Sequence, residues 1–149
     1  MQNMDQIAEK ILRNYKRIAV VGFSRSPEKP ARKVPKFLLS RGYEIIPVNP
    51  RIDHDLGRKA YPSIEEIPED VKIEVVEIFR PSEETPEIVR QVVERKKRVG
   101  DVKAVWLQEG IRHPESRRLA EEAGLEYVED RCMYKEYIRH IEGKEPVEL

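Results

Sequence analysis

The sequence is poor in the residues that staple, anchor or export a chain. It has one cysteine, Cys132, in 149 residues, so no internal disulfide can form. That fits a reducing cytosol, and a cytoplasmic location is expected. No apolar run approaches the roughly 18 residues needed to span a bilayer. Residues 1–6 lack a basic stretch followed by an apolar one, so no secretory leader is expected. Charge of one sign is missing as well, since 28 Lys+Arg oppose 28 Asp+Glu. A zero balance excludes the bulk electrostatics of a nucleic-acid coat or a polybasic membrane binder, while leaving local charged sites open. Internal repeats, low-complexity segments and long linkers are also absent. One domain over residues 1–149 is expected, with an N-terminal helix in 1–15 and a loose tail in 143–149.

What the chain does have is alternation. Met4, Ile7, Ala8, Ile11, Leu12 and Tyr15 recur at helical spacing, which predicts an amphipathic helix. Arg17–Gly22 is a short apolar run ending in glycine and reads as a buried strand. A loop with serines and prolines follows, then a helix over Ala31–Arg41 with Pro35 near its first turn and Gly42 as its stop. Strands are predicted at Tyr43–Val48, Lys72–Phe79, Val102–Leu107 and Leu125–Val128. Helices are predicted at Ser82–Lys97, Pro114–Ala123 and around Tyr134–Ile141. Arg51–Tyr61 reads as a polar loop, with room for a short extended piece at Lys59-Ala60-Tyr61, and Ser63-Ile64-Glu65-Glu66 as a capping box opening a short helix. Short apolar strands alternating with helices predict an α/β fold, a Rossmann-like doubly wound parallel sheet of about five strands with helices on both faces.

In such sheets ligands sit beyond the carboxyl ends of the strands, near the switch in strand order. The loop after the first strand is the most informative of those ends. Gly22 lets the backbone approach a ligand, and the helix near Ala31 directs free N–H groups and a positive dipole end at the same space. Ser24 and Ser26 can donate to phosphate oxygens. Arg25, Lys29, Arg32, Lys33 and Lys36 surround them, opposed within the segment only by Glu28. A solvated basic loop that binds nothing is the alternative. A nicotinamide dinucleotide is disfavoured, because G-x-G-x-x-G is absent and Asn49 stands where an acid would hold the ribose hydroxyls.

The chain resembles the small stand-alone CoA-binding proteins, whose domain is similar to the nucleotide-binding half of the succinyl-CoA synthetase alpha subunit. Six segments carry the resemblance, in the family's order. They are Ile18–Ser24, Ile46–Pro50, Lys59–Ser63, Val76–Arg80, Val105–Gly110 and Asp130–Cys132. The resemblance implies a Rossmann-type fold that binds coenzyme A or an acyl-CoA through its phosphates and adenosine. Gly22, Phe23 and Ser24 match the phosphate-contacting turn, with Arg25 beside them. Arg32 and Lys33 match basic positions on the first helix of the domain, and Pro47 and Asn49 the adenosine-side strand end. Phe79, Arg80 and Gly110 match loops lining the groove. Coenzyme A carries a diphosphate and a ribose 3′-phosphate, so it needs more cations than NAD, and Asn49 avoids repelling a phosphorylated ribose. Phe79 and Tyr61 could flank adenine or pantetheine, or simply pack.

Catalytic groups are not evident. His54, His113 and His140 lack diagnostic carboxylate partners and metal-motif spacing, so they read as structural or solvated, with His113 placed to start a helix. Cys132 follows the last strand, where Arg131 could favour the thiolate and permit a mixed disulfide with the CoA thiol. An idle buried thiol is the simpler expectation. Paired glutamates at 65–66, 83–84 and 121–122 read as solvated helix charges, and Trp106 as core. The expectation is therefore a CoA-binding domain without catalytic residues of its own. The alternatives are a nicotinamide-dependent reductase, the nucleotide-binding subunit of an acyl-CoA ligase, or an interaction module that has lost its ligand. Homo-oligomer and partner-subunit arrangements both stay open. A charged fraction of 38% also suits the ion-pair networks of heat-adapted proteins. Calorimetry should then give a midpoint above the roughly 45–65 °C of mesophile domains, and a midpoint within that range would contradict heat adaptation.

Overall fold

The computed structural model describes residues 2–149. Helix α1 (Met4–Asn14) leads into β1 (Arg17–Val21), α2 (Pro30–Ser40) and β2 (Glu44–Val48). A small antiparallel hairpin, β3 (His54–Asp55) and β4 (Arg58–Lys59), precedes β5 (Val75–Ile78). The chain then runs through α3 (Thr85–Val99), β6 (Ala104–Leu107), α4 (Pro114–Glu122), β7 (Glu126–Val128) and α5 (Met133–His140). The five longer strands form one parallel sheet in the order β2-β1-β5-β6-β7. Helices α1, α2 and α5 pack on one face, through Leu12, Val34, Leu38 and Met133. Helices α3 and α4 cover the other, through Val89, Val92 and Ala120. This is the expected doubly wound α/β sheet. Its switch in strand order lies at β1, between β2 and β5. Among the described residues no helix is long and apolar enough to cross a membrane.

Several local expectations are corrected. Ser63 makes no side-chain cap, and residues 64–66 form a single 3₁₀ turn, because Pro68 leaves no length for an α-helix. A capping box does occur at Asn3, whose side chain accepts from the Gln6 N–H while the Gln6 side chain accepts from the Asn3 N–H. Extended backbone in the 51–61 stretch reaches beyond the piece expected at 59–61: the β3–β4 hairpin begins at His54, and Tyr61 bridges to Val48. Pro35 lies inside α2, beyond its first turn. The missing proline N–H leaves the Ala31 carbonyl free, and the Ser24 N–H donates to it at 3.3 Å. A break in the helical ladder thereby becomes an anchor for the loop after β1. Residues 143–149, expected to be loose, are tied by the Tyr134 hydroxyl to the Val147 carbonyl (2.6 Å) and by Lys33 Nζ to the Leu149 carbonyl (3.0 Å).

Two buried charged side chains stand in contrast. Arg95 is fully buried on α3, paired with Asp101 at 2.9 Å. It also donates to the carbonyls of Ile67 (2.6 Å) and Val71 (2.8 Å), closing the loop that leads into β5. Glu77, in the middle of β5, is fully buried with no hydrogen-bond partner on either carboxylate oxygen. Desolvation alone pushes its pKa up to about 8.

Two predictions follow from these side chains. Between about pH 5 and pH 8 the folded protein keeps the Glu77 proton that the unfolded chain releases, so stability falls with rising pH, by at most about 1.4 kcal/mol per pH unit. Urea melts across that range should show the decline in wild type and a flatter profile in Glu77→Gln; equal slopes would mean that Glu77 is ionised in the fold. Arg95→Ala takes the cation from Asp101 and the side-chain donor from the Ile67 and Val71 carbonyls, and chemical denaturation should register a loss of about 3–5 kcal/mol.

Candidate functional site

The carboxyl ends of β1, β2 and β5 meet at the switch point. The Gly22 N–H donates to the Val48 carbonyl (3.0 Å), and the Phe79 N–H to the Val21 carbonyl (2.9 Å). Gly22 has φ +85°, and a Cβ there would stand 2.9 Å from the Phe79 carbonyl oxygen and 3.0 Å from Arg80 Cδ. The glycine is therefore demanded by the neighbouring strand end, before any ligand is considered. Asn49 completes the junction. Its Nδ2 donates to the Phe23 carbonyl (2.8 Å), and its Oδ1 accepts from the Arg51 N–H (2.8 Å).

Two adjoining cavities open on this junction. One, of about 400 Å³, lies on the α2 side and is lined by Ser24, Arg25, Lys29, Ala31, Arg51 and Phe79, among others. The other, of about 540 Å³, lies towards α3 and is lined by Val21, Pro62, Glu84, Ile88 and Gln91. Gly22, Asn49, Arg51 and Arg80 border both. Volumes of this order suit small-molecule sites.

The donors on the α2 side converge. Helix α2 starts with Lys29 as a cap that makes no side-chain hydrogen bond and Pro30 in its first turn. The N–H of Ala31 is left to face the cavity, and the helix dipole favours an anion there. Ser24 Oγ accepts from the Ser26 N–H (3.0 Å), so its own proton remains available to a ligand. Arg25, Lys29 and Arg51 are exposed and have no side-chain hydrogen bond or ion pair among the described residues.

Other residues expected at the site stand elsewhere. Phe23 borders the α2-side cavity, but the residue is fully buried in the core, with its ring 5.7 Å from the Arg32 guanidinium. Arg32 pairs with Asp55 of the hairpin at 2.8 Å, and Lys33 is bound to the tail carbonyl of Leu149. Both lie on the side of α2 away from the junction, with Pro27, Lys36 and Phe37. In sequence Arg32 looks unopposed, because its counter-charge comes from 23 residues further along. Pro47 is buried in edge strand β2, where its missing N–H faces away from β1 and its carbonyl accepts from the Tyr61 N–H (3.0 Å). That is a placement proline tolerates in a sheet. Gly110 stands apart after β6, donating to Asp130 Oδ1 (2.6 Å). Phe79 and Arg80 do line the cavities, with Arg80 held in a bidentate pair by Glu84 at 3.0 Å. Tyr61 sits outside the cavity lining, its ring 5.8 Å from Lys59 Nζ. Arg51 belongs to none of the segments and positions singled out in the sequence, yet it borders both cavities. Its position one residue beyond the Asn49-Pro50 turn was the available signal.

The candidate reactive groups lie off this junction. Cys132 is buried and lines a separate cavity with Gln108, Val34 and Lys135. Burial pushes its thiol pKa up. Arg131 cannot activate it as expected, because its guanidinium is paired with Asp5 and Glu136. His113 caps α4, its Nδ1 accepting from the Glu115 N–H (3.1 Å). The Trp106 indole is core and donates to the Arg131 carbonyl (2.8 Å).

Known proteins resemble this chain in sequence and fold. A Bacillus subtilis protein, YneT, is 40% identical over 134 residues, covering 89% of this chain and 94% of YneT. A solved structure from Pyrococcus horikoshii OT3 superposes with a TM-score of 0.83 at 42% identity and 93% coverage of both chains. The ADP-forming acetate–CoA ligase II of Archaeoglobus fulgidus is 34% identical over 82 residues, spanning 54% of this chain but only 12% of that enzyme. Residues 16–138, from the start of β1 into α5, match the CoA binding domain, and the chain belongs to that family.

Proposed function

We propose that this chain binds coenzyme A, or an acyl-CoA, at the β1–β2–β5 junction and supplies no catalytic side chain of its own. The observation that carries the reading is the convergence of three unpaired cations, Arg25, Lys29 and Arg51, on the uncapped start of α2. The free Ala31 N–H, a hydroxyl and cations surround a space with no unpaired carboxylate, which is the chemistry a diphosphate requires. Charge-assisted hydrogen bonds contribute roughly 1.5–3 kcal/mol each. Three or four of them, after association costs, support micromolar binding, about −8 kcal/mol. Gly22 and Asn49 act by holding the strand ends together. Phe79 offers a half-buried aromatic wall, and Arg32 acts indirectly by fixing the β3–β4 hairpin against α2.

A second reading is supported by the likeness to the Archaeoglobus ligase. In it this chain is the nucleotide-binding subunit of an acyl-CoA ligase, and a partner provides the reactive groups. The two readings share the ligand and differ in whether a further chain is needed for turnover. A nicotinamide-dependent reductase is disfavoured, because Asn49 offers no acid to ribose hydroxyls and its side chain is engaged within the junction.

Thermal unfolding with added ligands tests the proposal. Coenzyme A at 100 times its dissociation constant should stabilise by about 2.7 kcal/mol, raising the midpoint by roughly 5–11 °C for a chain of this length. NAD and ATP should give smaller shifts. A clear shift with NAD and none with coenzyme A would replace the reading with the reductase. No shift with any nucleotide would leave an interaction module.

A further inference from the structure

We propose that residues 145–149 form a strap across the cavity that holds Cys132, and that detachment of this strap, with the core intact, admits bulky reagents to the single thiol of the chain. The cavity is separate from the junction, so the strap is independent of the coenzyme A reading. It has a volume of about 320 Å³ and lies between the start of α2 and the start of α5. Buried Val34, Gln108 and Cys132 line it from the core, and exposed Glu148 and Leu149 line it from the solvent side. Cys132 is 8% exposed. A small reagent therefore has a path to the sulfur, while a bulky one meets the strap.

The strap has a hinge and polar anchors. Arg41 pairs with Glu142 at 2.9 Å, which fixes the chain just before it turns. Gly143, at φ +66°, makes the turn out of α5, and the Lys144 N–H donates back to the Ile138 carbonyl (3.1 Å). Beyond that point two helices hold the segment. From α5 the Tyr134 hydroxyl donates to the Val147 carbonyl (2.6 Å), and Lys135 Nζ lies 3.6 Å from Glu148 Oε1. From α2 Lys33 Nζ donates to the Leu149 carbonyl (3.0 Å). None of residues 145–149 is buried, and Val147 is 74% exposed. A segment held by a few surface polar contacts, with no apolar side chain in the core, opens at far lower cost than the sheet. Its detachment leaves α5 packed through Met133 and Ile138. The strap thus governs access to the thiol without unfolding the elements that carry it.

Intact-mass spectrometry after treatment with N-ethylmaleimide and with the bulkier N-pyrenylmaleimide gives two rates on one thiol. Their ratio cancels the thiolate fraction, which both reagents share. Wild type should react more slowly with the pyrene reagent. Deletion of 145–149 should shrink that gap by about tenfold or more, since every strap anchor is lost. Tyr134→Phe removes one anchor and keeps the ring against Phe37 at 4.8 Å. It should shrink the gap by about two- to tenfold. Both variants should melt close to wild type. If the deleted chain instead melts early, Tyr134→Phe decides. Equal ratios in wild type and Tyr134→Phe would overturn the strap and leave the core as the barrier. A faster reaction that appears only with a lowered melting midpoint would overturn it too, by showing that the thiol is reached through unfolding.

Discussion

The site depends on a contact too close for any side chain. The Phe79 carbonyl at the end of β5 lies 2.9 Å from where a Cβ of residue 22 would stand. That closeness lets β1 end between β2 and β5 with its following turn drawn into the sheet. The Asn49 amide then ties β2 to the same turn. From the outer side, the Ala31 carbonyl, left free by Pro35, receives the Ser24 N–H. The loop after β1 is thereby attached to a strand and a helix at once. Its backbone is ordered although the Arg25 and Lys29 side chains face open space. A ligand meeting this loop would not have to supply much of the ordering entropy.

The electrostatics of the site arise by subtraction. Five basic residues lie between Gly22 and Lys36, yet the fold engages Arg32 with Asp55 and Lys33 with the Leu149 carbonyl. Arg80, at the end of β5, is engaged with Glu84. What remains at the junction is Arg25 and Lys29, joined by Arg51 from the next strand end, while Lys36 lies with Arg32 and Lys33 on the other side of α2. Solvated pairs contribute little to stability. They still decide which cations can meet an anion without first breaking a bond.

The interior shows the same principle under a lower dielectric. Arg95 carries its charge into the core with an acid and carbonyl oxygens around it. Glu77 enters the middle of a strand with no partner and is held neutral by desolvation. The first arrangement locks a loop. The second ties stability to pH.

The sequence alone determined the elements and their order: alternating apolar runs and helical stripes are local periodicities, and together they imply a doubly wound sheet with its site at the strand ends. It also pointed to Gly22, Ser24, Arg25, Asn49, Phe79 and Arg80, which the fold gathers around the junction cavities, because each follows closely on a strand and strand ends share one edge of the sheet. It did not show that the Phe23 ring turns into the core, that Arg32 and Lys33 are engaged by Asp55 and the Leu149 carbonyl, that Pro47 and Gly110 stand off the junction cavities, or that Arg51 borders both of them. Those roles turn on direction and pairing: which face a ring takes, which distant carboxylate arrives beside a guanidinium, which turn orients the next residue. Such facts are properties of contacts between segments far apart in the chain. Only the tertiary structure could decide them, since a charge is free or neutralised according to its neighbours in space and not in sequence.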